Sequence, residues 1–190
     1  MQAAAPPVTA SIKTVAVIGA GRAGRSFALA CAAAGLHVVL EDVMPANLRQ
    51  AEADFADLRL QAAPGRLELA GTVEDAVHAA DIAIDFVPDE LESKLEIFSL
   101  LDRMAPPKTI LCTPSNGISI TDLASCTYRP ERCLAVRGIL TQSIRLLYPA
   151  TADASVLTAT RQLFELLGNQ VEAEPDPELP MLMKNIVYTR

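Results

Sequence analysis

Val15-Ala16-Val17-Ile18-Gly19-Ala20-Gly21-Arg22-Ala23-Gly24 carries a short apolar run directly into a G-x-G-x-x-G turn. The segment behind it, residues 22–34, is rich in Ala, Leu and Phe and meets Gly35 where a left-handed C-terminal cap belongs. Strand, glycine turn and helix in that order are what a chain needs to receive a dinucleotide pyrophosphate. Gly19 allows the tight turn, Gly21 lets the backbone approach the phosphates, and Gly24 lets the helix pack closely on the strand. The helix N-terminus, with Ala20, Arg22 and Ala23 on the same turn, offers unpaired N–H groups to the anion. Three glycines by themselves often mean only a tight turn, so the weight falls on their surroundings.

The next strand, His37-Val38-Val39-Leu40, ends in Glu41-Asp42. An acid about 20 positions past the glycines is where the adenosine ribose hydroxyls are hydrogen-bonded in NAD sites. Asp42 is therefore the expected ribose ligand. Its charge repels a 2′-phosphate, so NAD is expected rather than NADP; Arg22 and Arg25 lie on the pyrophosphate turn, not beside the ribose.

Composition narrows the class. The chain has 190 residues, 51% hydrophobic and 21% charged, an ordinary globular balance. A net charge of −7 argues against nucleic acid, whose backbone needs clustered Lys and Arg. No apolar run reaches the length of a membrane span, and the Ala/Pro-rich start lacks a positive leader region, which gives the expectation of a cytoplasmic protein. Cys31, Cys112, Cys126 and Cys133 make no C-x-x-C or zinc spacing and are expected reduced. With only His37 and His78, no metal site is expected.

Strand and helix signals alternate along the chain. Strands are expected at 67–69, 82–87, 109–112, 133–136, 144–148 and, at an edge, 171–173. Helices are expected at 45–60, after the Thr72-Val73-Glu74-Asp75 capping box, at 91–104, from 121 and at 153–167. This predicts an α/β fold: a Rossmann-type doubly wound, mostly parallel sheet with helices on both faces. Residues 1–12 read as a flexible tail, 13–174 as the dinucleotide-binding domain, and 175–190, with Pro175, Pro177 and Pro180, as a Pro-rich tail. Ligands of such sheets sit outside the strands' carboxyl ends, here Asp42 and residues 88–94, 113–117 and 137–142.

With these segments in order, the chain resembles the NAD-binding domain of the 3-hydroxyacyl-CoA dehydrogenases over roughly residues 13–185. The likeness rests on Asp81-Ile82-Ala83-Ile84-Asp85-Phe86-Val87-Pro88-Asp89-Glu90-Leu91-Glu92-Ser93-Lys94, Thr109-Ile110-Leu111, Ile118-Ser119-Ile120-Thr121 and Arg129-Pro130-Glu131-Arg132. It implies an oxidoreductase of fatty acid metabolism that passes a hydride from a 3-hydroxyacyl-CoA to NAD. Asp89 stands where the family's glutamate meets the cofactor, and Lys94 matches its cofactor-contacting lysine. Both follow the fourth strand, where a lysine can meet a phosphate or a ribose; the plainer alternative is a solvated first helical turn.

At the family's catalytic positions the residues differ. Its histidine base is matched by Arg137, which cannot act as a base at neutral pH. Its partner glutamate falls, with a one-residue gap, at Tyr148, and its substrate-contacting serine at Asn116. The asparagine at the start of its second, helical domain is matched by Asn185. The resemblance implies that a homo-oligomer or a partner chain supplies that second domain.

Arg137 and Arg145, on adjacent strands, could grip a carboxylate or a CoA phosphate, or simply balance an acidic surface. Tyr148 fits an acid or a core aromatic, and Cys112 a reactive thiol or a packing residue. Three functions stay open: a 3-hydroxyacyl-CoA dehydrogenase-type enzyme with an altered site, a non-catalytic NAD(H)-binding module, and an oxidoreductase on a small carboxylated substrate.

Overall fold

The computed structural model describes residues 12–61, 64–138 and 142–177. The elements run β1 (Thr14–Ile18), α1 (Arg22–Ala33), β2 (His37–Glu41), α2 (Pro45–Gln61), β3 (Arg66–Ala70), α3 (Val73–Val77), β4 (Ile82–Asp85) and α4 (Leu91–Met104). The second half adds β5 (Ile110–Pro114), α5 (Ile120–Ser125), a 3₁₀ turn (Pro130–Arg132), β6 (Cys133–Gly138), β7 (Ser143–Tyr148), α6 (Ala154–Leu166) and β8 (Gln170–Pro175). The strands form one sheet in the order β3-β2-β1-β4-β5-β6-β7-β8. Every neighbouring pair is parallel except β6 and β7.

Strand alternation explains the layers. Val15 and Val17 of β1 face α1 and α6, joining Phe27, Cys31, Leu163 and Phe164; Ala16 and Ile18 face α3 and α4, joining Val77, Ile97, Phe98 and Leu101. A strand covered on both sides is largely apolar, so residues 15–18 of β1 and 82–84 of β4 read as continuous hydrophobic runs. Phe27 stacks at a tilt between Phe86 and Phe164, with centroids 5.4 and 5.9 Å away, and locks α1 to the sheet.

From β1 the chain winds outward through β2 and β3, then returns past β1 to β4 and winds the other way. The reversal leaves a crevice at the carboxyl ends of β1 and β4, where ligands of such sheets lie.

Several boundaries differ from expectation. β4 stops at Asp85 rather than Val87, because Pro88 has no N–H for a ladder and restricts the residue before it. β6 and β7 form an antiparallel hairpin, since so short a connection cannot carry a parallel crossover. β8 is a six-residue strand parallel to β7, longer than the stretch expected from 171 to 173. The capping box is one-sided: Thr72 Oγ1 accepts the Asp75 N–H at 3.2 Å and donates to the Asp75 carboxylate at 2.7 Å. No helix among the described residues is long and apolar enough to cross a membrane.

Candidate functional site

The glycine turn is built as steric arguments require at two positions. Gly19 has φ +98° and its missing Cβ would meet the Phe86 carbonyl oxygen at 3.3 Å. A Cβ on Gly24 would overlap the Gly19 carbonyl oxygen, so helix and turn touch backbone to backbone. Gly21 differs: its Cβ position has nothing within 4 Å, so the backbone there borders open space.

That open space lies at the N-terminus of α1. Gly21 caps the helix without a side-chain hydrogen bond, and the first turn holds no acidic residue. By contrast Thr72, Ser119 and Asp153 cap α3, α5 and α6 through side-chain oxygens. The first-turn N–H groups of α1 have no partner within the helix, and with the helix dipole they favour an anion.

β2 delivers two carboxylates to the same crevice. Asp42 Oδ2 accepts the Ala20 N–H at 2.7 Å and the Asn47 amide at 3.0 Å, and Oδ1 accepts the Met44 N–H at 2.7 Å. A carboxylate has about four lone-pair sites, so this one holds the turn and retains one acceptor position. Glu41, whose carbonyl accepts the Gly19 N–H at 2.8 Å, is 4% exposed. Burial, then the neighbouring Asp42 charge, pushes its carboxyl pKa up. The sequence does not single out Glu41, because spacing from the glycines selects Asp42 and Glu41 ends a strand that otherwise reads as core.

Both acids line a cavity of about 560 Å³, whose walls include Ile18, Gly21, Phe86 and Ile97. Its size and apolar walls with a few polar groups suit a flat heteroaromatic group joined to a sugar. Phe86 also borders a smaller recess of about 350 Å³ between α1, Pro114, Gly138 and Leu167.

Of the remaining expected residues, Asp89 and Asn116 meet: the Asn116 N–H donates to Asp89 Oδ2 at 3.0 Å, joining the turns after β4 and β5. Arg22 is exposed at the start of α1, whereas Arg25 turns away to Asp54 at 2.8 Å. Lys94 is not placed as a free cation at the ligand edge. It is 1% exposed and bonds at 2.6 Å to Asp85, itself fully buried at the end of β4. Desolvation raises the Asp85 pKa; the Lys94 charge, the Thr113 hydroxyl and the Val87 N–H oppose that rise.

Arg137 and Arg145 stand directly opposite each other in the β6–β7 ladder. Arg145 is exposed and pairs with Glu174 at 3.1 Å; Arg137 is half-buried and reaches the Ile118 carbonyl at 3.4 Å. Tyr148 packs into the opposite layer, with Val136 and Ile144. Because side chains alternate along a strand, Arg137 and Tyr148 leave the sheet on different faces and do not form a pair. Cys112 is fully buried and burial pushes its thiol pKa far up, so it is a packing residue, and Cys31 likewise. His37 pairs with Glu68, and His78 with the Asp75 carbonyl, both far from the crevice along the fold. Asn185 lies outside the described residues.

In sequence and fold the chain is similar to known proteins. Residues 14–137 match the family described as 3-hydroxyacyl-CoA dehydrogenase, NAD binding domain. A probable 3-hydroxybutyryl-CoA dehydrogenase of Bacillus subtilis is 33% identical over 138 residues, 66% of this chain and 48% of that protein. A 3-hydroxybutyryl-CoA dehydrogenase of Bradyrhizobium diazoefficiens is 30% identical over 186 residues, 89% of this chain and 63% of that one. In fold, (S)-3-hydroxybutyryl-CoA dehydrogenase from Ralstonia eutropha superposes with a TM-score of 0.79 at 24% identity, covering 88% of this chain and 65% of that chain. The chain thus spans about half to somewhat under two thirds of the curated relatives it matches. The open Gly21 cradle, the uncapped α1 N-terminus and the acids at the end of β2 fit the pyrophosphate and ribose of NAD, and the chain belongs to the family of 3-hydroxyacyl-CoA dehydrogenase NAD-binding domains, with NAD as its cofactor.

Proposed function

We propose that this chain is the NAD-holding part of an oxidoreductase of 3-hydroxyacyl-CoA dehydrogenase type. The observation that carries the reading is the α1 N-terminus, open at Gly21 and left without a side-chain cap. Gly21 and the first-turn N–H groups of α1 hold the pyrophosphate, with Ala20, Arg22 and Ala23 around it. Gly19 and Gly24 set the turn. Asp42 accepts from the adenosine ribose through its remaining acceptor site, and Glu41 adds a second negative charge that bars a 2′-phosphate. Asp89, fixed to the Asn116 backbone in the turn after β4, is a further cofactor contact. Bound NAD supplies the hydride acceptor.

A proton acceptor is the part this chain does not provide where the family keeps it. Arg137 occupies the histidine position and is always protonated, and Tyr148 faces the other layer. Turnover of a hydroxy substrate therefore draws its base, and the cover over the substrate, from outside the described residues, as from a second copy or a partner chain. Calorimetric titration with NAD, NADH and NADPH tests the cofactor reading: NAD and NADH bind, NADPH binds at least about tenfold more weakly, a gap of about 1.4 kcal/mol. Binding by none of the three refutes it. Oxidation of NADH on adding acetoacetyl-CoA or free acetoacetate separates an enzyme from a non-catalytic NAD(H)-binding module, which shows binding without turnover of either.

A further inference from the structure

We propose that Arg137, with Arg145 beside it, is the receptor for a small carboxylate at the carboxyl end of β6, and that the substrate is accordingly an oxo- or hydroxy-acid carrying a free carboxylate. This rests on the reading of the chain as the NAD-holding part of an oxidoreductase, whose substrate must lie at this edge of the sheet. Arg137 and Arg145 are cross-strand partners and leave the sheet on the same face, the one that carries Ala135 and Leu147. Like charges directly opposite on a ladder repel. Arg145 is relieved of this by Glu174 at 3.1 Å. Arg137 has no ion pair among the described residues.

Its hydrogen bonding is equally incomplete. Of the five donors on the guanidinium, Nη2 reaches the Ile118 carbonyl at 3.4 Å, and Nε is buried with no partner. Nε and one Nη form the side edge of the guanidinium fork, the edge that takes the two oxygens of a carboxylate. A bound carboxylate would satisfy the buried Nε–H and screen the repulsion between the two arginines. A neutral ligand does only the first. Position 137 is at the carboxyl end of β6, so a carboxylate gripped here lies at the ligand edge of the sheet.

The test uses the full chain saturated with NADH and three probes titrated by calorimetry: acetoacetate, its neutral methyl ester, and adenosine 3′,5′-bisphosphate, which carries the 3′-phosphate and one 5′-phosphate of CoA without the pantetheine and acyl groups. Acetoacetate is expected to bind at least about tenfold more tightly than the ester. Arg137→Gln is expected to abolish that preference, while Arg137→Lys, which keeps the charge and loses the fork, retains part of it. NADH affinity stays within about twofold in both, because Arg137 does not line the 560 Å³ cavity. Equal binding of acetoacetate and ester, or a preference that survives in Arg137→Gln, overturns the proposal. Tight binding of the bisphosphate alone, lost in Arg137→Gln, overturns it in favour of a CoA phosphate site. Should Arg137→Gln fail to fold by thermal denaturation, the Arg137→Lys comparison decides. Failure of the unmodified chain to bind NADH strikes the cofactor reading instead, and is seen in the first titration.

Discussion

Replacing Lys94 with Met separates two roles for this residue, a buried ion-pair partner and a cofactor contact. Lys94 is 1% exposed and its Nζ lies 2.6 Å from the Oδ1 of Asp85, which is fully buried. Removing the ammonium leaves a carboxylate in an apolar interior, and breaking a buried pair this way costs about 3–5 kcal/mol. For a chain of this size each kcal/mol lowers Tm by roughly 2–4 °C. The pH dependence gives a second readout. Asp85 already has a raised pKa, from desolvation that Lys94 partly offsets, so the variant's carboxyl rises further. A carboxyl with a raised folded pKa binds its proton more tightly folded than unfolded, so stability grows as pH falls through that pKa and is lost as pH rises. The gap between Lys94→Met and the unmodified chain, measured by urea denaturation, should therefore narrow between about pH 8 and about pH 5. The double variant Asp85→Asn/Lys94→Met should recover much of the loss, since both charges are then gone. A loss under about 1 kcal/mol, typical of an exposed pair, or a gap that widens on acidification, refutes this account. Stability near that of the unmodified chain with NAD affinity lost would return Lys94 to the cofactor.

Gly21→Ala and Gly24→Ala should part company. The first meets nothing within 4 Å and sits at ordinary φ −61°, so Tm holds while NAD affinity, read by calorimetry, drops at least about tenfold as the methyl enters the phosphate cradle. The second drives a methyl into the Gly19 carbonyl and should lower Tm by the several degrees expected of about 1–3 kcal/mol of overpacking. Glu41→Gln should raise NADP affinity relative to NAD, and an unchanged ratio in competition binding would leave Asp42 as the sole determinant. Native titration with a thiol reagent should label Cys126 quickly and Cys31, Cys112 and Cys133 only on unfolding, because Cys126 alone is exposed and burial raises the other three thiols, Cys133 to about 12. Fast labelling of a second thiol would contradict the packing described for these residues.

The sheet was legible because its signals are local: residues 15–18 and 82–84 are unbroken apolar runs, Gly24 meets the carbonyl of Gly19, and Gly19 and Gly35 take positive φ. The place of Asp42 beside the turn, where it accepts the Ala20 N–H, was legible for the same reason, since its distance from the glycines is a property of one βαβ unit. What spacing could not convey was the competition for each polar group. Asp42 already accepts three hydrogen bonds, Arg25 is drawn off by Asp54, and Lys94 is taken by Asp85 across a turn that the sequence presents as solvent-facing. Pairings of this kind depend on which side chains a fold leaves without water, and that is decided by layers far apart in sequence.

The same logic accounts for the hairpin of β6 and β7. One-residue shifts reverse the face of every side chain on a strand, so a motif alignment that is right to within one position still puts Tyr148 in the layer of α1 and α6 and Arg137 in the layer of α5. On these two strands a partner for position 137 on its own face must come from position 145 or 147. In this chain those positions hold Arg145 and the buried Leu147. Restoring catalysis by Arg137→His with Tyr148→Glu should accordingly fail, while Arg137→His with Leu147→Glu places both groups on one face. If the first pair yields NADH-dependent reduction of acetoacetyl-CoA and the second does not, the register of this hairpin has been misassigned, and with it the cross-strand neighbourhood of Arg137.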